Sequence, residues 1–148
     1  MHNEEFPAIT ELSKQEKRIV NDTCVKFHVF SNILDFLAIN SFIYDKASVD
    51  FGEIMKWLNR NSTYSYNNSW CAKIDLWIHE MIWLDLVSYD EETKEMSLTK
   101  NGMKVYQKQE FHIAYANLLQ AKTSRNLARA AFWCCVFSLI VSLINIFA

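Results

Sequence analysis

The sequence predicts a mainly α chain: a small helical domain with a little β structure, followed by one C-terminal transmembrane helix. Three observations carry this. One Pro (Pro7) and two Gly (Gly52, Gly102) interrupt 148 residues, and scarce breakers favour helix. Apolar residues recur at three- and four-residue spacing along much of the chain. Residues 130–148, AAFWCCVFSLIVSLINIFA, carry no charge, and a helix of that length rises about 28 Å, close to the hydrocarbon thickness of a bilayer.

Composition sets the frame. About half the residues are apolar and 14% are aromatic, which excludes a disordered tether. The part before the uncharged run is the size of one domain. Cys24 and Cys71 are isolated, Cys134 and Cys135 lie in the run, and there is no CxxC pair. That usage fits a reduced compartment. The net charge of −2 is unevenly spread. Residues 1–95 carry nine Lys/Arg against sixteen Asp/Glu, and residues 96–129 carry six against one.

Taken in order, residues 1–12 read as a polar arm. Ser13-Lys14-Gln15-Glu16 is a capping box, so a helix starts at Lys14. Ile19, Val20, Thr23, Phe27 and Phe30 give it an apolar side, continued by Ile33, Leu34, Leu37 and Ala38. One helix, or two with a break near Ser31, fits equally. Residues 42–46 interrupt the pattern. Residues 47–49 read as a short strand. Asp50 caps a second helix, with Glu53 three residues on, and Phe51, Ile54 and Leu58 point inward. The polar stretch RNSTYSYNNS (60–69) reads as a loop. A third helix from Trp70 to Leu84 turns Trp70, Ile74, Trp77, Ile78, Met81 and Ile82 to one side. Residues 86–89 and 95–98 form a hairpin around the turn at 90–94. Thr99 caps a last helix that runs on past Leu119 towards the uncharged run, with a joint near Thr123-Ser124.

Helix, short strand, helix, helix and hairpin, closing on LVSYDEETKEMSLTKNG with its Leu-Thr-x-x-Gly ending, resembles the winged helix-turn-helix fold. The resemblance covers residues 28–106, about half the chain, at fold level only. It implies a β-hairpin wing within a domain spanning 13–106; charge and hydropathy separately read a basic juxtamembrane helix over 107–129 and the transmembrane helix over 130–148. In DNA-binding members of that family the third helix enters the major groove. Here that helix carries Lys73 against Asp75 and Glu80, with Asp85 following, and the wing tip carries Asp90, Glu91 and Glu92. Phosphate repels such a surface, so DNA is disfavoured as a partner. Leu76, His79 and Trp83 point outward from the same helix and suit a protein contact.

The remaining chemistry is sparse. Trp57, Trp70, Trp77 and Trp83 fit core and interface positions better than a ligand pocket. His2, His28, His79 and His112 are scattered, and His79-Glu80 has no second ligand one turn on. No phosphate loop, nucleophile elbow or paired catalytic carboxylate stands out. No catalytic residue, metal or cofactor is therefore expected. In the uncharged run, Ala130, Cys134, Ser138 and Ser142 repeat every four residues, with Asn145 on the same face, which suits helix association in lipid. Lys122, Arg125 and Arg129 precede the run and suit lipid headgroups and a cytoplasmic N-terminal domain.

The expected function is a tail-anchored, single-pass membrane protein whose winged-helix domain binds a protein partner or regulates. A first alternative is a membrane-perturbing effector, of a toxin or anti-phage defence type, whose span oligomerises under control of the domain. A second alternative is a membrane-tethered DNA-binding regulator.

Overall fold

Four polar side chains sit inside the first helix, α1 (Lys14–Ile43), without breaking it. Thr23, Ser31, Asn32 and Asn40 each donate to a carbonyl three or four residues back in the same helix. A side chain satisfied in this way does not compete with the helical ladder from outside it. The break considered near Ser31 is therefore absent. The computed structural model describes the backbone of residues 14–61 and 68–147, and the side chains of 18–19, 21–60 and 73–142. The polar arm, Ser13, His2, most of the 60–69 loop and the side chains of Val20, Trp70, Cys71 and Asn145 lie outside these.

α1 is the element on which the others pack. It touches the second helix α2 (Phe51–Asn61), the third helix α3 (Asn68–Trp83), the fourth α4 (Lys100–Gln107) and the fifth α5 (Glu110–Phe147). Its buried face runs through Val25, Val29, Phe30, Ile33, Leu34 and Leu37. Ile54 and Leu58 of α2, with Ile74, Trp77, Ile78 and Met81 of α3, complete one core with it. Helical spacing selected Phe30, Ile33, Leu34, Leu37, Ile54, Leu58, Ile74, Trp77, Ile78 and Met81 but not Val25 or Val29; of the other selected positions, Thr23, Phe27, Phe51 and Ile82 are half-buried and Ile19 is exposed.

The strands β1 (Val49–Asp50), β2 (Val87–Asp90) and β3 (Glu95–Leu98) form an antiparallel sheet in the order β1-β3-β2. Val87 stands opposite Leu98, and Val49 opposite Met96. Asp50 accepts from the Gly52 amide at the start of α2, as its capping role required. Asp90 accepts from the Glu92 amide in the turn, which holds its carboxyl below the usual carboxylate range.

The expected last helix is two helices. α4 ends at Gln107, and Gln109 takes a positive φ of 53° before α5 begins. No Gly or Pro marks this break. α5 then runs antiparallel along α1: Phe111 meets Phe27 and Phe30, Tyr115 meets His28, and Lys122 reaches Asn21. The joint expected at Thr123-Ser124 is absent: α5 runs through it as one helix, with Thr123 bonded back to the Leu119 carbonyl.

Two larger expectations are corrected. Among the described residues, no helix is long and apolar enough to cross a membrane. α5 is one continuous helix that includes Lys122, Arg125 and Arg129. The transmembrane helix over 130–148, the tail anchor and the single-pass membrane localisation with a cytoplasmic domain are therefore not supported. The supported fold is mainly α with a small three-stranded antiparallel sheet, rather than a winged helix-turn-helix domain plus a span. The most extensive helix packing, α1 on α5, involves an element outside residues 28–106.

Candidate functional site

α3 is held along its inner side and at its C-terminal end. Along its inner side, Ile74, Trp77, Ile78 and Met81 are buried against α1 and the sheet. Two ion pairs tie it to α1: Lys26 to Glu80 at 2.9 Å and Lys73 to Asp22 at 2.8 Å. Both are partly shielded, so each contributes more than a fully solvated pair, on the order of 1 kcal/mol.

The C-terminal end of α3 is held by the start of α4. Asn101 donates to the Leu84 carbonyl at 3.2 Å, and Thr99 reaches the carbonyls of Asp85 and Leu86. Thr99 also caps α4 by accepting from the Gly102 amide. Gly102 lies against the Leu86 backbone, where a Cβ would collide with the carbonyl. The Leu-Thr-x-x-Gly ending thus joins the last turn of α3 to α4. Leu84 and Asp85 follow Trp83 directly, and Asp85 takes a positive φ of 53°.

On this held helix Leu76, His79 and Trp83 all face outward. Leu76 is 65% exposed and Trp83 is 83% exposed, and His79 is exposed between them. Positions 76, 79 and 83 lie on one side of a helix. Asp75 and Asp85 are exposed beside them, as are Asp90, Glu91 and Glu92 in the hairpin turn. Lys73, the lysine of this helix, is committed to Asp22. The surface is therefore an apolar pair in an acidic setting.

The other sequence candidates do not converge on it. Trp77 is in the core and Trp57 packs on Phe36 at 5.0 Å between ring centroids. Phe36, Glu53, Lys56, Trp57 and Arg60 line a shallow depression of about 260 Å³ with charges of both signs. His28 packs against Tyr115 and contacts Asn32, and burial pushes its imidazole below the ordinary value. His112 pairs with Asp35 at 3.0 Å. Among the described residues, no three His, Cys, Asp or Glu side chains gather as a metal site.

In α5, Ala130, Cys134, Ser138 and Ser142 are all exposed. Ser142 bonds back to the Ser138 carbonyl at 2.9 Å, so its hydroxyl is used within its own helix. Arg125 and Arg129 are exposed, and Lys122 is shared with Asn21. Headgroup contact and association in lipid lose their premise with the span. Sequence reasoning missed the exposed group Phe42, Ile43 and Tyr44 at the end of α1. Its signal was the interruption of the helical pattern there, which marks the end of buried spacing but not an exposed apolar cluster.

Comparison with protein-family models, with curated proteins and with solved structures gives no match. No relative supports the winged-helix assignment, which is withdrawn on that finding as well.

Proposed function

We propose that the chain is a protein-interaction module that docks a partner on the outer face of α3 through Leu76, His79 and Trp83. One observation carries the reading: a tryptophan and a leucine stand exposed on one side of a helix whose other side is packed and whose C-terminal end is held by α4. Aromatic anchors presented on a rigid support are the usual centres of binding energy, and truncating one costs on the order of 2 kcal/mol or more of affinity. Rigid presentation lowers the ordering cost of binding.

The acidic surroundings define the partner's chemistry. It carries an apolar pocket or groove for Trp83 and Leu76, flanked by lysine or arginine. The same charges disfavour duplex DNA, whose phosphates add to the repulsion.

The test is co-purification of the full chain and of Leu76→Ala and Trp83→Ala variants from the same cells. A partner retained by the parent chain and lost by both variants, with thermal unfolding unchanged, supports the reading. If every co-purifying protein remains with both variants, the assignment of this surface is wrong. Salt-sensitive binding of the parent chain to duplex DNA would replace it with a nucleic-acid function.

A further inference from the structure

We infer, on the basis of the α3 reading above, that the partner docked by α3 is a second copy of this chain. That copy offers the basic stretch of its α5 around Arg125, and copies join head to tail. Beyond Glu110, α5 carries Lys122, Arg125 and Arg129 and no acid. At i, i+3 and i+7 these cations share one side of the helix, the same spacing that Leu76, His79 and Trp83 have on α3. Asn21 meets Lys122 and His28 meets Tyr115. Continued, that antiparallel register sets Arg18 of α1 opposite Arg125. Arg18, Lys122, Arg125 and Arg129 thus form one patch of exposed cations. Asp22, one turn from Arg18, is committed to Lys73.

The α3 surface has the opposite sign. Asp75, Asp85, Asp90, Glu91 and Glu92 are exposed on and beside it, and exposed Lys94 and Lys100 offset two of these five acids. Glu80 and Lys73 are neutralised by their partners on α1.

Both patches are exposed in the same chain, so neither covers the other. The hairpin that carries Asp90 to Glu92 pairs with β1, which follows the C-terminal end of α1. The cations flank the N-terminal part of α1. Between Arg18 and Ile43 that helix rises about 38 Å, several times the screening distance of about 10 Å. Pairing like patches would set acid on acid or cation on cation. Copies therefore mate patch to opposite patch, and each keeps one of either kind free for the next. Such heterologous contacts close into rings or grow as open filaments.

Trp83 makes the contact specific. Among aromatic side chains tryptophan best accepts a guanidinium over its face, and the stems of arginine and lysine cover apolar surface beside their charges. Two helix faces that meet over about two turns bury less than a standard interface. The contact is accordingly weak, and its charges make it depend on salt.

Sedimentation equilibrium of the full chain tests this. The mass of the parent chain is expected to rise with concentration beyond twice the 17.4 kDa chain. Raising NaCl from about 0.1 M to about 1 M shortens the screening distance from about 10 Å to about 3 Å and is expected to weaken association about tenfold or more. Trp83→Ala removes one face and Arg125→Glu the other, so each variant alone is expected to stay a single chain with thermal unfolding unchanged. Mixed in equal amounts, the two variants are expected to form a complex of two chains and no larger, because one complementary pair of faces survives. Association that persists in either variant, or that salt leaves unchanged, overturns the proposal, and so does a mixture that stays at single chains. Capture of the Arg125 patch by duplex DNA or anionic vesicles in place of a second copy overturns it as well. A parent chain that stays single at every concentration overturns the second copy as partner alone; the α3 reading then stands or falls with the co-purification of another protein.

Discussion

Gly102 separates packing from helix propensity. It lies in the first turn of α4, where alanine is intrinsically better by about 1 kcal/mol. Its missing side chain, however, leaves room for the Leu86 backbone, which cannot rotate away as a flexible side chain would. Overpacking of that kind costs roughly 1–3 kcal/mol. Gly102→Ala is therefore expected to lower the urea midpoint, and a raised midpoint would show that the Leu86 turn adapts. His28 supplies a pH dependence of definite sign. Burial lowers its folded pKa below the ordinary 6.5, so the unfolded chain binds its proton first as pH falls. Its contribution is intact above about pH 6.5 and is lost progressively as pH drops through the folded value. Stability measured from neutral to mildly acidic pH is expected to fall less steeply in His28→Gln than in the parent chain.

Among the elements, α3 is held by α1 through Lys26–Glu80 and Lys73–Asp22. A double-mutant cycle on Lys26→Met and Glu80→Gln is expected to give a coupling of about 0.5–1 kcal/mol. No measurable coupling would mean that apolar packing alone places the helix. Local chemistry made several elements readable from the residues. Asp50 and Thr99 cap helices with their own side chains, and Ile74, Trp77, Ile78 and Met81 follow a helical period that the core uses directly. The break between α4 and α5 was not readable. Gln109 is a poor residue for positive φ, and the turn is set by the distant packing of Phe111 on Phe27 and Phe30. The long apolar run misled for a related reason. Hydropathy reports that residues dislike water but not what covers them, and the same composition serves a bilayer or a helix neighbour.

At the scale of the whole molecule, α1 is a central post with the sheet and four helices around it. Among the described residues three apolar groups face outward: Phe42, Ile43 and Tyr44 at the end of α1, a small one on α3 and a longer one on distal α5. Outward placement of Leu76, His79 and Trp83 was legible because it is the complement of the buried stripe on the same helix. The most direct test of the α3 surface is in-cell photo-crosslinking from a reactive amino acid placed at position 76, with position 56 on α2 as the exposed control. The expected result is one defined protein adduct from position 76, absent from position 56 and lost when Trp83→Ala is added. Equal labelling from both positions, or an adduct indifferent to Trp83, would contradict the account.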